Sequence, residues 1–378
     1  GCLALLLAVG GVLVTSLRRP RLEVIRLFSP PVVSAGSVAR VTLRLRNRAA
    51  LSTPVLTVHD DLPWTERQEH RSVEPLGVGS AGRRVAVLEY EAHPVRRGVF
   101  PLGPLVVEYG DPFGMARTEI ASGHADRLTV VPAIVDLPDG GPVLVEGEGT
   151  AQLVQRHATG NDDDLSTREY RVGDALRRVH WRASARHGEL MVRQEEHRSN
   201  PDARIVIDTR LASYPDASGG TESWPPAPHS ERFEWAVRML ASLAVHLDRN
   251  GFRVEVVEST KAQIEPIGER WQGGPRVEPF LMSLAALRLV DARYDARPRL
   301  ATDASGPTFA ILADAGDETV DWALGQKRPG QTAVAFLLGM RPEARERFEA
   351  AGWLCLDIEP EDGLEYAWLL SGETGVVR

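Results

Sequence analysis

The chain has 378 residues, 43% of them hydrophobic and 25% charged, with a formal net charge of −8. Single hydrophobic cores stop growing at roughly 250 to 300 residues, so more than one domain is expected, and this composition excludes wholesale disorder. The acidic balance argues against a protein whose main task is neutralising phosphates, so no nucleic-acid partner is expected.

Residues 1–17 carry no charge and are followed at once by Arg18, Arg19 and Arg21. As a helix they would span about 25 Å, short of a hydrocarbon core of roughly 30 Å. The chain opens on Gly1, and residues 1–18 read as the later part of a transmembrane segment truncated at its start. A secretory leader would place its basic residues before the apolar run. Arginines after it put the soluble domains on the cytoplasmic side of the cell membrane by the positive-inside rule. Cys2 and Cys355 lie at opposite ends of the chain and outside any CxxC pair, so neither a disulfide nor a thiolate metal site is expected.

From 20 to 135 the pattern is short, alternating and β-branched, as in "ARVTLRLRN", "PVLTVHD" and "RRVAVLEYEA", and each run is broken by Gly or Pro. Such alternation is what half-buried strands require, and an immunoglobulin-like β-sandwich is the expectation. Residues 136–203 read as a linker that includes "TGNDDDLST" and a dense Arg/His/Trp stretch. From 204 to 378 the period changes: "RIVIDT" is a continuous apolar strand. In "SERFEWAVRMLASLAVHLDRNG", Phe233, Val237, Leu240, Leu243 and Leu247 recur at helical spacing, with Ser230 placed as N-cap and Gly251 as stop. Strand and helix then alternate through "FRVEVVES", "TFAILAD", "QTAVAFLLG" and "WLCLDI", which predicts an α/β fold: a doubly wound, mostly parallel sheet with helices on both faces. Such sheets bind at the carboxyl ends of their strands, so Asp208 at the end of the first strand is a candidate site position.

The stretch "EYRVGDALRRVHWRASARHGELMVRQEE" at 169–196 carries a set of rare residues at fixed separations: Arg168, Tyr170, Gly173, Asp174, Arg177, His180, Trp181, Ser184, Ala185 and Arg186. With "RRGVFPLGP" and "DPFGM" upstream, it resembles the hallmark of the bacterial domain-of-unknown-function 58 family. The resemblance implies an N-terminal membrane hairpin, a small β-rich domain and a C-terminal von Willebrand factor A-like (Rossmann-type) domain. It also implies a functional neighbourhood shared with MoxR-type AAA ATPases. The chain departs from a metal-binding von Willebrand A domain in one respect. After Asp208 come Thr209, Arg210, Leu211 and Ala212, so Arg210 and Ala212 stand where two hydroxyl ligands belong. A guanidinium there would repel a cation, and Asp208 is read as a degenerate metal-site position with no metal and no cofactor.

The same stretch raises sharper chemistries. His157, His180, His187 and His197 form no HxxxH pair, which disfavours zinc. Ser184, His180 and Asp174 could in principle form a nucleophile, base and orienting acid, but no Gly-x-Ser-x-Gly elbow surrounds the serine. Asp162 to Asp164 lack the alternate ligands of a calcium loop. Trp181 and the arginines could grip a nucleic acid, against which stand Glu189, Glu195 and Glu196. The reading preferred here is an interdomain polar clamp: Trp181 anchors the linker against the α/β domain, and Arg177, Arg182 and Arg186 bond carboxylates such as Asp174 or Glu169. Arg168, Tyr170, Gly173, Asp174, Arg177, His180, Trp181, Ser184 and Arg186 are then motif and interaction residues, with none catalytic. The protein is expected to be a membrane-anchored adaptor that docks a protein partner, by the resemblance a MoxR-type ATPase in envelope-related assembly. The rival class is an envelope-associated hydrolase working through the His180 neighbourhood.

Overall fold

The computed structural model describes residues 2–65, 69–78, 84–111, 114–139, 167–169, 181–193, 202–219, 227–267, 277–291 and 306–373. Helix α1 (Cys2–Leu17) opens the chain. At about 1.5 Å per residue it covers about 24 Å, and among the described residues no helix is long and apolar enough to cross a membrane.

Strands follow that pair antiparallel, with one exception. β1 (Leu22–Ser29), β3 (Ala39–Asn47) and β6 (Val85–Ala92) form one sheet in the order β1-β3-β6. β4 (Leu56–Asp60), β5 (Arg71–Val73), β8 (Leu105–Gly110) and β9 (Arg117–Ser122) form a second, in the order β5-β4-β8-β9. β2 (Val32–Ser34), β7 (Gly98–Leu102) and β10 (Asp126–Val131) form a third, in which β2 and β10 run parallel. In β3 the residues alternate between buried and accessible, because the β1-β3-β6 sheet turns one face inward. Leu43 and Leu45 of that face meet Leu56, Val58 and Val107 of the second sheet, while Ala39 and Val41 meet Phe100, Leu128 and Val130 of the third.

One buried ion pair ties these sheets together. The Arg26 side chain is fully buried and donates to Asp60 at 2.6–3.2 Å, to the His124 carbonyl at 2.6 Å and to Asp126 at 3.1 Å. Tyr90 donates its hydroxyl to Asp60 at 2.7 Å. Burial works against the Arg26 charge, but the bonds to Asp60 and Asp126 outweigh it and hold the guanidinium above its ordinary value. Gly103, at φ +90°, lies directly against this guanidinium, and a Cβ there would collide with it.

The carboxy-terminal part is a five-stranded parallel sheet in the order β14-β13-β15-β16-β17. Its strands are β13 (Asp202–Ile207), β14 (Arg253–Glu258), β15 (Thr308–Leu312), β16 (Ala333–Leu337) and β17 (Leu354–Asp357). β15 (TFAIL) and β16 (AVAFL) are buried along their whole length because both faces are covered. Ile205, Ile207, Phe309, Ile311, Val334 and Phe336 face α3 (Glu231–Arg249), α4 (Glu278–Ala286) and α7 (Leu364–Glu373). Val206, Ala310, Leu312, Ala335 and Leu337 face α5 (Asp317–Leu324) and α6 (Pro342–Ala350). The expected cap is present: Ser230 Oγ accepts from Phe233 N at 3.1 Å, and Gly251 follows α3 with φ +84°. The order of strands places the topological switch between β13 and β15, since the chain leaves β13 toward β14 and returns to its other side at β15.

The two parts meet where α4 packs on β7 and β10. Arg97, just before β7, is 5% exposed and forks onto Glu234 of α3 at 3.0 Å. It also donates to the carbonyls of Leu284 and Leu287 at 2.6 and 2.8 Å and lies over the Phe233 ring. Residues 134–138 continue the seam. Val135 N donates to Ser242, Leu137 is buried among the α3 side chains, and the Pro138 carbonyl accepts from the Trp368 indole at 2.8 Å.

Candidate functional site

The hallmark segment forms a small unit of its own. β11 (Thr167–Glu169) pairs antiparallel with β12 (Met191–Arg193), setting Arg168 opposite Val192. Helix α2 (Trp181–His187) runs between them. Ser184 Oγ accepts from Met191 N at 2.8 Å, which fastens the helix to β12, and Gly188 takes φ +76° at the turn. Arg186 is exposed and has no carboxylate partner among the described residues. Tyr170, Gly173, Asp174, Arg177 and His180 lie outside the described residues, so the proposed Ser184, His180 and Asp174 arrangement does too.

Trp181 corrects one expectation. Its side chain is 68% exposed and does not anchor the linker against the α/β part. An indole held in a core would be almost wholly covered. A polar clamp between the two parts is made by Arg97 with Glu234; of the residues expected in that role, Asp174, Arg177 and the side chains of Glu169 and Arg182 lie outside the described residues. Both positions carried a signal. Arg97 sits in the "RRGVF" turn, and Glu234 lies in the first turn of an amphipathic helix, where a carboxylate is favoured by the helix dipole.

Asp208 occupies the switch position past β13 and is completely buried. Its Oδ1 accepts a short bond from Ser259 Oγ and one from Arg210 N at 3.0 Å, while its Oδ2 has no partner. Its carbonyl accepts from the Tyr214 hydroxyl at 2.7 Å, and burial raises that hydroxyl's pKa well above the usual tyrosine value. Ser259 also accepts from Thr209 N at 3.0 Å, and the Thr209 and Thr260 hydroxyls bond to each other at 2.7 Å. Ser259 and Thr260 follow β14, so two neighbouring strand ends supply these hydroxyls. They are the polar residues that the Asp208 reading did not include, and the signal for them is the "ST" that closes "FRVEVVEST".

Arg210 leaves this cluster toward the other side of the switch. Leu211 N donates to the Val290 carbonyl at 3.0 Å and Val290 N to the Thr209 carbonyl at 2.9 Å, which holds its backbone beside the segment after α4. Its Nη1 donates to the buried Thr319 hydroxyl of α5 at 2.8 Å, and its Nε is buried without a partner. The guanidinium therefore spans the crevice between the ends of β13 and β15. A divalent cation placed there would meet a fixed positive charge beside a single carboxylate, and no group of three His, Cys, Asp or Glu suited to a metal occurs among the described residues. A carboxylate from outside would meet a forked donor instead. Glu258, at the end of β14, is a second, half-buried carboxyl on this edge. Its Oε1 accepts from Gln263 N and Ile264 N at 2.7 and 2.8 Å, its Oε2 has no partner, and burial raises its pKa despite those two bonds.

The architecture and this edge define an α/β protein with a parallel, doubly wound sheet behind an antiparallel β part. Residues 166–293, from β11 through α4, match the model of the family described as Protein of unknown function DUF58. No curated protein matches the chain. Among solved structures, the chain is similar to the CARDB domain of a Pyrococcus furiosus protein solved with di-metal ions. That match has 19% identity, covers 30% of this chain and 89% of the other, and has a TM-score of 0.21. A β-glucosidase from Listeria innocua matches at 14% identity over 31% of this chain and 17% of its own, with a TM-score of 0.18. A Paenibacillus cycloisomaltooligosaccharide glucanotransferase matches at 11% identity over 84% of this chain and 48% of its own, with a TM-score of 0.18.

Proposed function

We propose that the protein is a membrane-anchored adaptor. In this reading α1 is part of the anchor and the remainder faces the cytoplasm, with an immunoglobulin-like sandwich followed by a von Willebrand factor A-like domain from residue 204. The partner is a protein, a MoxR-type AAA ATPase by family resemblance, and the process is envelope-related assembly. The carrying observation is Arg210: its guanidinium bridges the switch crevice to Thr319 and keeps donor capacity beyond that bond. In α/β sheets ligands gather at this crevice, and a planar fork suits a partner's carboxylate side chain. The contact would then need no metal.

The test measures binding of the purified ATPase from the same genome to the full chain in detergent, with Arg210→Met and Arg210→Glu variants and with a chelator present. Binding is expected to survive chelation and to weaken at least about tenfold in either variant, the loss of one well-placed charged bond. Unchanged melting of the variants separates contact loss from unfolding. Binding that requires Mg²⁺, or that ignores both substitutions, overturns the reading. Hydrolytic turnover abolished by His180→Ala would favour the envelope hydrolase.

A further inference from the structure

A cavity of about 360 Å³ lies where α1 ends, between residues 16–21 and the loop joining β3 to β4. Arg18, Arg19, Arg21, Ser16, Ser52 and Thr53 line it. The three arginines are exposed, and among the described residues no carboxylate pairs with any of them. Two acids at this end of the molecule are already engaged: Glu23 with Arg48 at 2.7 Å, and Asp111 with the Ala116 amide. The cavity therefore offers guanidinium and hydroxyl donors with no anion of the protein's own to meet them.

Its surroundings are apolar. Helix α1 turns Gly11 and Thr15 toward the β part, with Gly11 against the Asp111 carboxylate. The opposite face carries Val9, Val12, Leu13 and Leu17, all more than half exposed. Leu51 and Val55, on the loop that walls the cavity, are 57% and 56% exposed. Large apolar side chains exposed together, directly beside a cluster of arginines, mark the boundary between acyl chains and head groups.

We propose that this cavity binds the phosphate head group of an anionic membrane lipid, with Leu51 and the exposed stripe of α1 in the acyl region beside it. This rests on the anchor reading of α1 and adds the lipid to it. An arginine near an anionic bilayer surface gains about fivefold in binding, so three together gain on the order of a hundredfold.

The experiment uses the full chain with Cys2→Ala and Cys355→Ala, and with Leu51→Cys carrying an environment-sensitive dye. It is mixed with vesicles of phosphatidylcholine alone, or of phosphatidylcholine with phosphatidylglycerol, and flotation and dye emission are both read. Flotation with both vesicles is expected, with a blue shift of the dye in the anionic vesicles that is small in the neutral ones. Combined Arg18→Gln, Arg19→Gln and Arg21→Gln should abolish the shift while flotation persists. Equal shifts in both vesicles, or a shift that survives the triple variant, overturns the lipid site and leaves the anchor standing. Absence of flotation with either vesicle overturns the anchor and the lipid site together. A shift produced in neutral detergent by inorganic phosphate alone overturns the lipid assignment in favour of a soluble anion.

Discussion

Arg26 and Arg210 use the same side chain in opposite ways. Arg26 is sealed inside the β part with Asp60, Asp126 and a carbonyl saturating its fork, so its job is finished within the fold. Removing one member of such a pair strands a buried charge, and Asp60→Asn is expected to cost about 3 kcal/mol in chemical denaturation. A cost below about 0.5 kcal/mol would mean that Asp126 alone can carry the guanidinium. Arg210 has one side-chain bond among the described residues, to Thr319, and a buried Nε without a partner, which is an arrangement suited to receiving something. Nothing in local sequence separates the two arginines. Both sit next to apolar residues near a strand, and only the neighbours brought from elsewhere in the chain differ.

At the level of elements, the parallel strands explain why the edge is polar. β15 and β16 are buried throughout because both faces are covered, and the polar residues of this edge lie just past the ends of β13 and β14. Asp208, Ser259 and Thr260 collect there. Glu258 still belongs to β14, and its burial sets a pH dependence. With the folded-state pKa raised above the ordinary 4.5, the folded protein keeps a proton that the unfolded chain releases. The resulting stability is fully present below the unfolded value and is lost as pH rises through the folded one. Glu258→Gln retains an oxygen for Gln263 and Ile264 and cannot ionise. Its stability relative to the parent should therefore rise between about pH 4.5 and neutrality, as urea titrations at several pH values would show. A constant difference across that range would mean that Glu258 ionises freely in the fold.

In the whole molecule, one arginine makes several of the polar bonds across the seam between the β part and the parallel sheet. Arg97 makes a charged fork and two carbonyl bonds across it, each of a kind worth about 1.5 to 3 kcal/mol when one partner is charged. Arg97→Ala is expected to cost about 2 kcal/mol or more and to speed proteolysis between the two parts. Trp181→Ala, by contrast, should change stability by less than about 0.5 kcal/mol, because its ring is mostly in water. The reverse ranking in a thermal melt would return the clamp to the hallmark segment.

The sequence by itself determined the alternating strands of the β part, the parallel α/β part with its capped helix at Glu231–Arg249, the likeness of the 166–293 stretch to the DUF58 family model, and Asp208 as the end of the first parallel strand. Each is written in local periodicity or in closely spaced residues, where burial repeats with the geometry of one element. Several strands were less legible: β5 and β2 have three residues each, too few for a period to show. The tertiary structure alone decided that Arg97 clamps the seam, that Trp181 faces solvent, that Ser259 and Thr260 join Asp208, and that Arg210 reaches Thr319, 109 positions away. These contacts join residues distant in the chain, and their partners are chosen by how sheets and helices pack, a property that no stretch of neighbouring residues carries.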